Sequence, residues 1–127
     1  PAGITGLSNH LLDEPWHKIT YGKQVFKNIL SRSFRLDTFF ELLSDRTPAR
    51  GTATRDSGFL PDLIAAQSPI FVKGPLYGTR SSTVLLLNQQ NQVELVERSY
   101  GPDAEILCEN RLNFQLQPIS GISCCPP

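Results

Sequence analysis

The spacing of apolar residues changes once along this chain, and that change constrains its fold more than any other feature. Up to Leu43 the large apolar side chains recur at helical intervals, whereas from Pro69 onward they come in short dense or alternating runs. Helical segments followed by strand segments predict an α+β architecture, helices first and antiparallel strands after them.

Asp13 and Glu14 precede Pro15 and Trp16, and acidic residues and a proline both suit a first helical turn. Trp16, Ile19, Phe26, Ile29 and Leu30 then keep to one stripe while Lys18, Lys23 and Lys27 turn to water. This predicts an amphipathic helix of about four turns whose stripe covers a sheet. Leu36, Phe39, Phe40 and Leu43, with Asp37 near the start, predict a second and shorter helix. Over residues 44–62 the periodicity gives way to Asp, Arg, Thr, Pro and Gly, the composition of a long mobile connection able to act as a lid.

Residues 69–72 and 82–87 read as strands, the second dense enough in Val and Leu to be covered on both faces. Asn88, Gln89, Gln90 and Asn91 form a polar turn before Val93, Leu95 and Val96, which predicts an antiparallel hairpin. Leu112, Phe114 and Leu116 alternate like a further strand. Residues 2–7 have the character of a short strand, and the tail beyond Pro118 is expected to fray.

With 127 residues, 39% of them hydrophobic and seven of them Phe, the chain has the material for one globular unit and one core. Twelve basic and twelve acidic residues cancel, which removes any general attraction for nucleic acid or anionic lipid. No apolar run approaches the roughly 20 residues of a spanning helix, and the first residues lack a signal-peptide layout. A soluble, cytoplasmic protein without stable membrane insertion is therefore expected. Cys108, Cys124 and Cys125 compose neither a disulfide framework nor a metal knuckle, and His10 and His17 lack the spacing of a metal pair. Neither a metal nor another cofactor is expected.

Two segments carry more polar chemistry than packing requires. The first runs from Gly6 to His10, where Asn9 serves either as a helix-entry residue or as an amide that holds an oxyanion. The second runs from Gly74 to Thr83 and sets Arg80 among hydroxyls just ahead of the densest strand. The planar guanidinium of Arg80 suits a carboxylate, either on a ligand or within the protein. Glu97 and Arg98 are neighbours on a strand, so they point to opposite faces and cannot act side by side.

Taken together, these segments resemble the NRDE family, also known as the transport and Golgi organisation family. Ile4-Thr-Gly-Leu-Ser-Asn-His-Leu-Leu-Asp-Glu-Pro-Trp-His-Lys18 is similar to its block of Gly-Leu-Ser-Asn, Leu-Leu-Asp and Pro-Trp. Leu60-Pro-Asp62, Ser68-Pro-Ile-Phe71, Tyr77-Gly-Thr-Arg-Ser-Ser-Thr-Val84 and Glu97-Arg-Ser99 follow in the family's order. Leu63 and Ile64 stand where the family usually has Thr-Gly, and the tail after Tyr100 is the chain's own.

The resemblance is to the C-terminal half of a single domain, spanning residues 1–118 with a flexible tail over 119–127. It implies part of an N-terminal nucleophile hydrolase-like αββα sandwich, two antiparallel sheets between helical layers. The class attacks with an N-terminal residue, a cysteine in this family; Pro1 stands first here, and no Asn-Arg-Asp-Glu string occurs. The resemblance therefore implies a fragment of a cysteine-type amidohydrolase acting on C–N amide bonds, inactive alone, whose partner is the missing N-terminal half. Within it Asn9 and Arg80 take catalytic roles, and Tyr77, Thr79 and Ser81 contact a small amide-containing molecule. The alternative is a non-catalytic binding or trafficking protein of the same fold that handles haem, lipid or acyl cargo.

Overall fold

A computed structural model describes residues 3–8, 11–32, 34–48 and 68–117. Two helices, α1 (His17–Leu30) and α2 (Leu36–Leu43), precede three strands, β1 (Ser81–Leu87), β2 (Gln92–Tyr100) and β3 (Ile106–Gln115). The architecture is α+β. The strands form one antiparallel sheet in the order β1-β2-β3, with β2 at its centre.

α1 starts after Trp16, which is extended and whose carbonyl accepts from the N–H groups of Ile19 and Thr20 at 3.0 and 2.9 Å. Its lone late cation, Lys27, sits in the last turn, where it complements the helix dipole. α2 carries Asp37 in its first turn for the reciprocal reason. The stripe of α1 does not lie over the sheet as its periodicity predicts. α1 packs on α2, α2 packs on β1, and α1 reaches the core through Phe26 and Ile29.

The core joins Phe39 and Phe40 of α2 to Val84 of β1 and Val96 of β2, which face each other across the register. Phe40 and Val96 are 1% and 0% exposed, so the contact between helix and sheet is fully dry there. Phe26 and Phe34 meet Phe39 with ring centroids 5.5 and 5.2 Å apart, in tilted and edge-on geometries that aromatic quadrupoles favour.

Arg98 binds the layers from the same face of the sheet. Its guanidinium carbon lies 4.0 Å from the centroid of the Phe40 ring, its Nε donates to Glu109 at 2.7 Å, and a terminal nitrogen reaches Asp37 at 3.3 Å. The hydrogen bond to Glu109 raises the guanidinium pKa; burial opposes it, and the charges of Glu109 and Asp37 add to the rise. Glu97, its neighbour, faces the other way and accepts from Thr83 at 3.0 Å.

The hairpin forms as its turn predicts. Asn88 caps it by accepting from the N–H groups of Gln90 and Gln92 at 2.9 and 3.0 Å, and Asn91 takes φ 58°, a left-handed conformation that Asn tolerates. Between β2 and β3 the register slips near Ser99 and Tyr100, so that Tyr100 pairs with Ile106 and Ser99 with Cys108.

Three strand expectations are corrected. Residues 69–72 form no strand, although Phe71 and Val72 are buried, because their N–H groups bond to Asp45 and Thr79 in place of a ladder. Residues 3–8 form no strand; Asp13 holds them by accepting from Gly6 N–H at 2.6 Å and from Lys23 at 2.8 Å. β1 is buried on one face only, with Ser82 and Val84 inward and Leu85 and Leu87 in the open. The expected lid over residues 44–62 lies mostly outside the described residues, and the tail beyond Pro118 lies wholly outside them.

Candidate functional site

The segment ahead of β1 is pinned to the molecule from both sides. Thr79 N–H donates to the Val72 carbonyl at 2.9 Å and Thr79 Oγ1 accepts from Val72 N–H at 3.0 Å, a reciprocal clasp between two loop segments. One residue later the Arg80 carbonyl accepts from Tyr100 N–H at 2.9 Å and extends the hydrogen bonding of β2 past the end of β1. Arg80 thus has a fixed backbone under an exposed side chain, and no ion pair of its guanidinium is formed among the described residues. Fixing the backbone reduces the ordering cost of presenting that side chain to a ligand.

Tyr77, Thr79 and Arg80 line one hollow of about 220 Å³, closed on the other side by Gly101, Pro102 and Ala104. Lys73 contributes a second cation to the wall, held 3.8 Å from Asp103. Tight backbone packing shapes the loop: a Cβ on Gly74 would stand 2.9 Å from the Tyr77 carbonyl oxygen. Ala104 adopts φ 63° in the turn opposite. The hollow presents a planar guanidinium, an ammonium and a phenol, an arrangement suited to a small molecule with a carboxylate or similar anionic end.

Ser81 does not share this hollow. It is the first residue of β1, pairs with Ser99, and alternation places it on the face opposite Ser82. Asn9 and His10 lie outside the described residues. The segment leading to them, residues 3–8, forms one wall of a larger cleft of about 560 Å³ against Ile19, Phe26 and Leu42. Lys18 also borders this cleft, and burial pulls its pKa down.

A further polar cluster gave no signal in the sequence. Tyr21 donates to Asp45 at 2.6 Å, and the ring of His17 stacks on Tyr21 with centroids 5.8 Å apart and planes 3° apart. Partial burial pushes the Asp45 carboxyl up, but hydrogen bonds from Thr47 and Tyr21, with the nearby His17, outweigh it and hold the pKa below its ordinary value. The same bond pushes the Tyr21 phenol up. Because 24 residues separate Tyr21 from Asp45, no local motif announces the pair. Among the described residues no group of three or more His, Cys, Asp or Glu gathers to hold a metal ion, and no helix is long and apolar enough to cross a membrane.

Comparison with known proteins adds a family. The family model for TANGO2, Transport and Golgi organisation 2, matches residues 1–102. The Transport and Golgi organization protein 2 homolog of Homo sapiens is 33% identical over 106 residues, covering 76% of this chain and 38% of that protein. The homolog of Bos taurus is 32% identical over the same length with the same coverage, and that of Mus musculus is 31% identical. The chain thus spans less than half the length of the curated relatives it matches.

Proposed function

This chain belongs to the Transport and Golgi organisation 2 family, also called NRDE, and on that premise we propose that it supplies the ligand-orienting wall of a site for small amide-bearing molecules. Arg80 receives the anionic end of the ligand, and Tyr77 and Thr79 shape the hollow beside it. The observation that carries this reading is the exposed guanidinium on a backbone clasped at Val72 and Tyr100.

In the full reading the fold is an N-terminal nucleophile hydrolase-like sandwich and the reaction is cleavage of a C–N amide bond. Arg80 orients the ligand, and Asn9 donates to the oxyanion as the carbonyl is attacked. The chain by itself then binds without turning over. A second reading, that the site holds hydrophobic or acyl cargo without cleaving it, is favoured by the relatives' names, which speak of transport and Golgi organisation.

Calorimetric titration of the chain with an N-acyl amino acid, which carries both an amide and a carboxylate, tests the common part. A charge-assisted contact is worth about 1.5–3 kcal/mol, so Arg80→Ala should weaken binding roughly 10- to 100-fold. Arg80→Lys, which keeps the charge but not the fork, should recover only part of the loss. Equal affinities of the wild type and Arg80→Ala would refute the site. Amine release by the Homo sapiens relative would separate the hydrolytic reading from the cargo reading, which requires saturable binding with no product.

A further inference from the structure

Past the core, the side of the sheet that carries the helices turns polar. Leu86, Glu94 and Asn113 form the next row by register after Val84 and Val96, and Gln92 pairs with Gln115 in the row beyond. Alternation keeps these rows on the face of Val84 and Val96. Together with Phe34, from the connection between α1 and α2, they line a hollow of about 630 Å³. Phe34 is 45% exposed and held edge-on against Phe39 with ring centroids 5.2 Å apart, so a half-open aromatic surface is fixed in place.

The polar groups are oriented without being saturated. Asn88 Nδ2 donates to Gln92 Oε1 at 2.8 Å, Gln115 Nε2 donates to the Gln90 carbonyl at 3.4 Å, and Arg111 meets Glu94 Oε1 at 3.4 Å. Among the described residues these contacts leave Gln92 Nε2, Gln115 Oε1, Glu94 Oε2 and the Asn113 carboxamide without a partner. Donors and acceptors therefore stand side by side, the complement of hydroxyl groups, each of which both donates and accepts.

The geometry points to a binding site for a neutral sugar ring, whose C–H face rests on Phe34 while its hydroxyls bridge Glu94, Asn113 and the Gln92–Gln115 pair. Neutrality follows from the charges, since Glu94 repels an anion and Arg111 already offsets its attraction for a cation. A purely apolar ligand would strip water from these polar side chains without replacing its hydrogen bonds. The site does not rest on the reading of Arg80. The seven residues of β1 separate the two hollows, about 23 Å of strand.

The test is titration of the isotope-labelled full chain with methyl glucoside, methyl mannoside and methyl galactoside, followed by the NMR shifts of backbone amides and side-chain carboxamides. Saturable shifts of Asn113 and Gln92 with at least one glycoside, half-complete at about 1–10 mM, are expected. Glu94→Ala should weaken that binding roughly 10-fold or more and Asn113→Ala roughly 3- to 10-fold, with circular dichroism unchanged. Arg80→Ala should leave it unaffected, so that failure of the Arg80 site and failure of this one read out separately. The absence of a saturable shift with all three glycosides would overturn the inference, and so would equal affinities for the wild type, Glu94→Ala and Asn113→Ala. Tighter binding of adenosine than of any glycoside would hand the ring and carboxamides to a nucleobase and overturn the sugar assignment.

Discussion

Replacing Arg98 with Met tests how the helical layer is fastened to the sheet. The side chain is 21% exposed and makes three contacts, to Glu109, to Asp37 and to the face of Phe40. Glu109 is 37% exposed, so its 2.7 Å charge-assisted bond is worth about 1 kcal/mol after screening. Asp37 is 61% exposed and contributes only a few tenths of a kcal/mol by the same reasoning. The cation over Phe40 falls between the exposed and desolvated limits, about 1 kcal/mol. Arg98→Met keeps most of the apolar stem and should cost about 2 kcal/mol in all. With a urea slope of roughly 1–2 kcal/mol/M for a chain of this size, the midpoint should fall by ~1–2 M. Far-UV circular dichroism and Trp16 fluorescence would follow the transition. A double-mutant cycle with Phe40→Leu isolates the ring contact and should return a coupling of about 1 kcal/mol. A coupling below about 0.3 kcal/mol would refute the stacking, and an unchanged midpoint for Arg98→Met would refute the fastening as a whole.

Three further outcomes follow from the same geometry. Gly74→Ala would press a Cβ against the Tyr77 carbonyl, a backbone atom that cannot swing aside; titration with the N-acyl amino acid should show roughly 10-fold weaker binding, a loss of about 1.4 kcal/mol. The Asp45 carboxyl sits below its ordinary pKa, so its stabilising effect is present above the unfolded pKa and is lost as pH falls through the folded value. Asp45→Asn should abolish that part of the acid-side loss in denaturation measured from pH 7 down to about 3. At the hairpin, Asn91→Val forces a β-branched residue to φ 58° and should cost about 1–2 kcal/mol by thermal denaturation, whereas Asn91→Gly should change stability by only a few tenths.

The elements legible in the sequence are those whose stability is local. α2 follows from four apolar residues and one acidic residue in its first turn, and the hairpin from the polar turn at Asn88 to Asn91, because each pattern is read by nearest neighbours along the chain. The run at Phe71 and Val72 misleads because burial, not pairing, explains its composition, and the partners that take its N–H groups are Asp45 and Thr79. The density of β1 misleads in a related way: Leu85 and Leu87 match a two-sided burial that no described element provides. At the candidate site, the grouping of Tyr77, Thr79 and Arg80 was legible from their adjacency. The strand alternation that sends Ser81 to the other face depends on where β1 begins, a boundary that spacing alone does not define.

β1, β2 and β3 follow one another directly, joined by connections of only four and five residues at 88–91 and 101–105. Pairing them requires closing short loops, whereas bringing Phe40 to Val84 and Val96 closes a loop of roughly 45–55 residues. Closure entropy therefore favours pairing of the strands over docking of the helices, which is the longer-range event. Because closure entropy grows only logarithmically, even doubling the stretch between α2 and β1 would cost about 0.6 kcal/mol. Evolution is consequently free to vary that stretch in length while the docked core stays the same.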